Sequence, residues 1–173
     1  MGLGTHRQFW SFTILWSKKS LESCFLQKSA LNEKNLEGLR VKLGGHDALG
    51  VDRTRTGGGL ALLWKKDFRI NVHSYSIAHI DATIIMTGSR EWHFTGFYGN
   101  PETSKCCDSW TLLWRLQCQD DMPWLVIGNF NEILDSTEKN WKIERNWKQM
   151  EAFRQVLSDC ALCDMGYHGN RFT

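Results

Sequence analysis

Several features that would place a protein in a simple class are scarce in this sequence. Only two of its 173 residues are proline, so no proline-rich linker divides the chain. The 21 Lys and Arg residues nearly balance the 19 Asp and Glu residues. A formal charge of +2 does not by itself demand a nucleic acid or a membrane as partner. No apolar run approaches the length of about 18 residues that a membrane-spanning helix needs.

Targeting signals are also missing from the sequence as given. The segment Met1–Arg7 lacks the charged region followed by an apolar region that marks a secretory signal peptide. Gly2 suggests myristoylation, but His6 stands where that motif needs Ser or Thr. We therefore expect an intracellular, soluble protein.

The cysteines do not form a disulfide framework or a zinc motif. Cys160-x-x-Cys163 has the spacing of a metal or redox pair, but no second pair accompanies it at zinc-site distance. We expect ordinary buried or half-exposed thiols. The six cysteines are Cys24, Cys106, Cys107, Cys118, Cys160 and Cys163.

What the sequence does contain is enough apolar material for one folded domain, which we place at residues 1–173. Its apolar fraction is 42%, and it has nine Trp residues, a composition typical of a packed globular core rather than of disorder. The first segment, residues 5–20, has aromatic residues at helical spacing and is predicted as a helix, although its aromatic content leaves a strand possible. A short strand is predicted at 23–26. A helix capped by Asn32 follows and ends at Gly44-Gly45, with an apolar face formed by Leu36, Leu39 and Leu43.

From residue 57 onward the apolar residues alternate or form short runs, as they do in β-strands. Strands are predicted at 60–64, 68–72, 80–86 and 92–98, paired antiparallel in succession. A helix capped by Thr103 or Ser104 follows, then a buried strand at 124–127 and a last helix at 150–160. This order of elements predicts an α/β (α+β) layered sandwich.

The stretch around Gly128 carries the candidate chemistry. The carboxamides of Asn129 and Asn131 follow a buried strand, where catalytic groups often collect in layered folds. The alternative is an ordinary turn, in which Asn is common. Tyr98 ends an alternating strand and is either a packing residue or a third member of the same site.

Five motifs in order give the chain a recognisable pattern. The motifs are Thr56-Gly-Gly-Gly-Leu-Ala-Leu-Leu-Trp64, His79-Ile-Asp81, Phe94-Thr-Gly-Phe-Tyr-Gly99, Trp124-Leu-Val-Ile-Gly-Asn-Phe-Asn-Glu-Ile-Leu134 and Met150-Glu-Ala-Phe-Arg154. Together they resemble the endonuclease/exonuclease/phosphatase (DNase I-like) superfamily, and most closely the endonuclease domain of plant LINE-type retrotransposons. The resemblance covers nearly the whole chain.

The resemblance implies a four-layered sandwich of two sheets flanked by helices and a Mg²⁺-dependent hydrolysis of DNA phosphodiesters. Such chemistry needs carboxylates that hold the metal and orient water, with amide and phenol donors for the phosphate oxygens. Tyr98 and Asn131 match the family's phenol and amide. Lys28 falls at the position of the metal-binding Glu, and Asn129 replaces the Asp of the central motif.

These replacements predict a degenerate domain in which Mg²⁺ binding and hydrolysis are doubtful. The family's opening segment with its Asn and its terminal Ser-Asp-His segment have no counterpart in the sequence, so we also expect truncation at both ends. Because catalytic groups act cooperatively, losing several of them leaves little activity. The alternatives are a nucleic-acid-binding module without catalysis and an active nuclease with a reorganised site.

Two further groups of residues allow a functional or an ordinary interpretation. His79 and Asp81 share one face of a strand, and we favour ordinary polar positions over a metal or acid–base pair. The loop from Lys139 to Lys148 mixes basic residues with Trp141 and Trp147, a combination that suits DNA or RNA but also a solvated loop. By resemblance, the nucleus is the expected location.

Overall fold

The structure is a computed structural model, which describes residues 11–17, 20–28, 33–53, 58–86, 88–117, 122–136 and 146–165. The chain forms two compact units. The first comprises Met1–Tyr98 with Met122–Gly128, and the second comprises Gly99–Asp121 with Asn129–Thr173. Each is described by itself.

The first sheet of unit 1 is antiparallel and has the strand order β1-β2-β4-β3. Its strands are β1 (Ser11–Ser17), β2 (Ser20–Lys28), β3 (Asp47–Arg53) and β4 (Gly58–Trp64). The helix predicted at 5–20 is wrong where the structure describes it. Phe12, Ile14 and Trp16 alternate along the chain, so residues 11–17 have strand periodicity too, and pairing with β2 selects it. The prediction did not include β3.

Helix α1 (Glu33–Lys42) covers one face of this sheet. The predicted apolar face is confirmed, because Leu36, Leu39 and Leu43 pack against a cluster formed by Ala61 and Leu63 of β4. The helix ends as expected at Gly44, whose φ of 67° is in the left-handed region that glycine adopts without strain. The predicted cap, Asn32, lies outside the described residues.

The second sheet has the order β5-β6-β7-β8. Its strands are β5 (Phe68–Ser76), β6 (His79–Met86), β7 (Trp92–Tyr98) and β8 (Trp124–Asn129). The pairs β5–β6 and β6–β7 are antiparallel, as predicted. In contrast, β8 runs parallel to β7, because His93 N donates to Pro123 O and Gly99 N donates to Asn129 O. Strand β5 is an edge strand, and its register with β6 shifts by one residue at His73.

The two sheets share one apolar core. Leu60 and Leu62 of β4 pack in a single buried cluster with residues of the second sheet, namely Ile80, Ile84, Phe94 and Ile127. Unit 1 therefore has three layers: α1, the first sheet and the second sheet. Helices combined with two largely antiparallel sheets confirm the predicted α+β class.

The described residues of unit 2 form two α-helices, α2 (Cys106–Leu116) and α3 (Trp147–Asp159). The predicted caps of α2, Thr103 and Ser104, instead lie in a single 3₁₀ turn that precedes the helix. Helix α3 begins earlier than predicted, because Asn146 Oδ1 accepts a hydrogen bond from Lys148 N at 3.0 Å. Within the described ranges, no helix combines the length and the apolar character that spanning a bilayer requires.

Candidate functional site

The loop that follows β8 brings Asn129 and Asn131 together. Asn129 Oδ1 accepts a hydrogen bond from Asn131 N at 2.8 Å, which forms an Asx turn. Asn131 has a φ of 55°, and asparagine tolerates this left-handed conformation better than most residues. The Asn129 carboxamide is therefore part of the turn, and its hydrogen bond helps to fix the backbone conformation of Asn131.

The same loop is joined to the residue that follows β7. Asn131 Nδ2 donates to Gly99 O at 2.6 Å, and Gly99 N donates to Asn129 O at 2.8 Å. A Cβ on residue 99 would lie 2.0 Å from Phe130 O, so only glycine permits this approach. We name residues Gly128–Asn131, with Gly99, the amide loop. Its conformation is fixed by backbone contacts and one side-chain donor.

Chemically, the amide loop offers neutral hydrogen-bonding groups rather than a base. Asn129 is exposed and ends β8, but its carboxamide carries no negative charge and cannot take a proton from water at neutral pH. A neutral amide can donate to a phosphate oxygen. The geometry suits contact with an anion better than activation of a nucleophile.

Tyr98 is the last residue of β7 and belongs to unit 1, whereas Asn129 and Asn131 belong to unit 2. Tyr98 is half-buried, and its backbone N donates to Ala78 O at 2.8 Å. Both asparagines contact Gly99, which follows Tyr98 directly in the chain. Within unit 1, Tyr98 is tied to the turn between β5 and β6.

Lys28 is the last residue of β2 and is paired with Gly59 of β4. Like Tyr98 and Asn129, it stands at the carboxyl end of its strand. Among the residues that the structure describes, no group of three or more His, Cys, Asp or Glu side chains could hold a metal ion.

His79 and Asp81 are both buried on β6, and each has its own partners. Asp81 Oδ1 accepts from His93 Nε2 and from Thr95 Oγ1, both at 2.7 Å. Trp124 Nε1 donates to Thr95 Oγ1 at 2.9 Å, and the Trp124 ring stacks on His93 with centroids 5.3 Å apart. The sequence did not predict this polar cluster. One signal was present, because His93 and Thr95 are two residues apart on β7 and therefore lie on the same face of the strand.

His79 is held by two serines of β5. Ser74 Oγ lies 2.9 Å from His79 Nε2, and Ser76 Oγ lies 2.9 Å from His79 Nδ1. A histidine with both ring nitrogens engaged by neighbouring serines is an ordinary satisfied polar residue. These contacts agree with the preference for ordinary polar positions.

Most of the basic loop lies outside the described residues, including Lys139, Lys142 and Arg145. Of the described part, Trp147 and Lys148 form the first turn of α3, and both are exposed. The Trp147 side chain is 65% exposed. A large exposed aromatic beside a lysine can contact a nucleic acid or another partner.

The four cysteines of unit 2 that the structure describes are free thiols; Cys106 and Cys160 are buried, and Cys107 and Cys163 are exposed. Burial raises the pKa of the Cys106 thiol, and the neighbouring Cys107 and Glu132 raise this pKa further. Burial also raises the pKa of Cys160, with a smaller contribution from Asp159. The buried thiols therefore stay protonated and unreactive at neutral pH.

Comparisons with known proteins add no identification to this geometry. No protein-family model matches the chain, and no curated protein matches it.

Proposed function

We propose that the chain is a catalytically degenerate domain of the DNase I-like superfamily, derived from a retroelement endonuclease, whose ancestral reaction was Mg²⁺-dependent hydrolysis of DNA. The observation that carries this proposal is the amide loop. Asn131 adopts a left-handed conformation and binds Gly99 O through its side chain. This arrangement holds a neutral donor group just after the end of β8.

The surrounding fold supports the proposal. Two sheets pack face to face, and a helix covers the outer face of the first. We propose the family's four-layered sandwich as the complete architecture. Tyr98, Asn129 and Lys28 are each the last residue of a strand, a position at which functional residues are often found.

The proposed loss of hydrolysis follows from charge. An amide at position 129 supplies neither a base nor an anion, and a lysine at position 28 replaces a carboxylate that would attract the metal. Replacing a carboxylate near a metal cation with a lysine changes the Coulomb interaction between the side chain and the metal from attraction to repulsion. Two such changes in one catalytic unit are expected to abolish turnover.

Binding of DNA or RNA without catalysis is the second candidate, and the exposed start of α3 favours it. Trp147 presents an aromatic face to solvent beside Lys148. Base stacking on an aromatic ring and a lysine–phosphate contact are compatible with this pair. Nuclear location is part of the same proposal.

A plasmid-nicking assay tests hydrolysis directly. Pure protein with Mg²⁺ is expected to leave supercoiled plasmid intact, whereas nicking that EDTA abolishes would contradict the loss of activity. DNA binding is measured in parallel by fluorescence anisotropy, and the affinity is expected to fall as salt rises. Trp147→Ala should weaken binding, while Val41→Ala, which also truncates a 65% exposed apolar residue, is the matched control.

A further inference from the structure

Helix α3 is fastened to the segment that follows the amide loop. Gln149 Nε2 donates a hydrogen bond to Glu132 Oε1 at 2.6 Å, and Glu132 directly follows Asn131. One turn further along the helix, the rings of Phe153 and Phe130 lie with their centroids 5.7 Å apart. All of these residues belong to unit 2. A polar and an aromatic contact therefore fix the helix against this segment.

The Glu132 carboxylate depends on Gln149 for its hydrogen bonding. Its Oε1 atom accepts from Gln149, whereas its Oε2 atom is buried and has no hydrogen-bond partner in the part of the chain that the structure describes. Because buried polar groups need partners, this one donor matters for the position of the carboxylate. Gln149 is therefore placed to control where Glu132, and the asparagine before it, can lie.

Two exposed polar side chains flank the Gln149–Glu132 bond along the chain. Lys148 directly precedes Gln149 and is exposed at the start of α3. Asn129 lies three residues before Glu132 and is exposed as well. Its Oδ1 atom accepts the hydrogen bond of the Asx turn, and its Nδ2 group carries two N–H donors. The bond thus lies between a cation and a neutral donor.

The charges along α3 favour an anionic partner. The first turn of the helix contains no Asp or Glu. The first carboxylate along the helix, Glu151, forms an ion pair with Arg154 at 2.9 Å. An anion that approaches Lys148 therefore meets a cation whose charge no carboxylate in the same turn offsets. Lysine and amide donors are the groups that contact phosphate oxygens in DNA complexes.

We propose that Gln149 is a positioning residue, which acts through Glu132 so that Asn129 and Lys148 bind phosphates of one DNA molecule together. The inference rests on the DNA-binding candidate of the proposed function and adds that the two contact points form a single site. When two contact points are held in a fixed arrangement, the second contact forms with little further loss of freedom. The affinity then exceeds that of either point alone.

The test measures binding of the whole chain to a fluorescein-labelled DNA duplex of about 12 base pairs, slightly longer than one helical turn. Anisotropy is recorded at low salt with EDTA present. Gln149→Leu should weaken binding roughly five-fold, because the two contacts no longer form together. Gln155→Leu is the matched control, since Gln155 of the same helix also donates to a carboxylate, Asp159 Oδ1, at 2.7 Å on an exposed surface. Its affinity should equal that of the wild type.

Exchanging the bonded pair tests the hydrogen bond itself. Gln149→Glu alone places two carboxylates opposite each other and should weaken binding as Gln149→Leu does. Combined with Glu132→Gln, it restores a donor opposite an acceptor and the original net charge, so the affinity should return to within about two-fold of wild type. Tryptophan fluorescence establishes that each variant is folded. If Gln149→Leu does not fold, Gln149→Glu and the exchanged pair decide.

Substitutions at the two contact points separate positioning from a loss of stability. Lys148→Gln should lower the slope of log affinity against log salt by about 0.9, the value for one phosphate contact, and Gln149→Leu should leave the slope unchanged. Asn129→Asp keeps the acceptor of the Asx turn and places an anion where the donor was, so it should weaken binding. In the Gln149→Leu protein its effect should fall to about half or less, since the contacts are no longer coupled.

Three outcomes would contradict the proposal. Wild-type affinity in Gln149→Leu, or an exchanged pair that folds but binds as weakly as Gln149→Glu, would overturn the positioning role and leave DNA binding at Lys148 standing. An effect of Asn129→Asp that is the same with and without Gln149 would do likewise. A wild type that does not bind the duplex at low salt would instead remove DNA as the partner and overturn both.

Discussion

Asn131 Nδ2 donates a hydrogen bond to Gly99 O at 2.6 Å, and this bond joins the residue after β7 to the turn after β8. The bond needs a side-chain donor, and the φ of 55° at residue 131 disfavours most other residues. A single asparagine therefore meets a conformational and a hydrogen-bonding requirement together.

Replacing Asn131 should separate these two requirements. Asn131→Gly keeps the left-handed backbone and loses the bond, which should cost about 1 kcal/mol of unfolding free energy. Asn131→Ala loses the bond and also strains the backbone, for a total of about 2–3 kcal/mol. Urea denaturation followed by tryptophan fluorescence measures both.

The control for this series is Asn129→Asp. Aspartate keeps the oxygen that accepts from Asn131 N, and residue 129 is exposed, so stability should change by less than about 0.5 kcal/mol. Equal losses for Asn131→Gly and Asn131→Ala would contradict the backbone argument.

Gly99 and Gly128 should be intolerant of alanine. A Cβ at residue 99 would lie 2.0 Å from Phe130 O, and one at residue 128 would lie 1.8 Å from Phe97 O. Both obstacles are backbone atoms, so relief requires separating chain segments, and each change should cost more than about 3 kcal/mol. Thermal unfolding monitored by circular dichroism provides the measurement.

Gly38 of α1 is the matched control, because a Cβ there would meet nothing within 4 Å. Gly38→Ala should stabilise the protein by about 0.5–1 kcal/mol through helix propensity. A Gly99→Ala variant as stable as the wild type would show that residue 99 and Phe130 are not in close contact.

The buried cluster at Asp81 should respond strongly to a nearly isosteric change. Thr95→Val removes the donor to Asp81 Oδ1 and the acceptor for Trp124 Nε1. Since Thr95 is fully buried, two polar groups lose a partner, and the loss should be about 2–4 kcal/mol in urea denaturation.

Thr111→Val tests the same chemistry on an exposed surface, where the hydroxyl donates to Cys107 O at 2.9 Å. Its effect should stay within about 0.5 kcal/mol. Similar effects of the two threonine substitutions would mean that water replaces the buried bonds.

The buried thiols should make stability depend on alkaline pH. Burial raises the pKa values of Cys106 and Cys160 above their ordinary 9.0. The unfolded chain therefore releases these protons first. The stabilising contribution is complete below 9.0 and is lost as the pH rises through the higher folded values.

The check is the urea midpoint as a function of pH for wild type, Cys106→Ala and Cys163→Ala. The decline above pH 9.0, the ordinary pKa of the thiol, should be smaller in Cys106→Ala than in wild type. Cys163 is exposed, so Cys163→Ala should follow the wild type. Identical curves for all three proteins would contradict a contribution from Cys106.

The strands from residue 58 to 98 could be predicted because their apolar residues repeat with the period of a strand. Residues 11–17 fit helical and strand spacing equally, and their pairing with β2, which is a tertiary contact, decides between them. Strand β3 was missed because Gly50 and its charged ends give it a weak local pattern. Local sequence does not contain this information.

For the candidate site too, the sequence predicts the local pattern but not the tertiary contacts. Asn129 and Asn131 were recognised as polar residues after a buried strand, which needs only the local pattern. Their contact with Gly99 depends on β7 and β8 being parallel neighbours, and the pairing of Asp81 with His93 depends on strand register. Neither relation follows from the spacing of residues along the chain.

The register shift at His73 has a consequence for self-association. Val72 is paired with Ala82 and Ser74 with Asp81, so His73 is an additional residue without a partner position on β6. Deleting it would keep every remaining pair and would leave β5 as a regular, uninterrupted outer strand. Regular outer strands recruit strands from other molecules and promote aggregation. The register shift at His73 is therefore expected to oppose the addition of a strand from another molecule to β5, while His73 Nε2, which lies 2.7 Å from Thr83 Oγ1, also links this residue to β6.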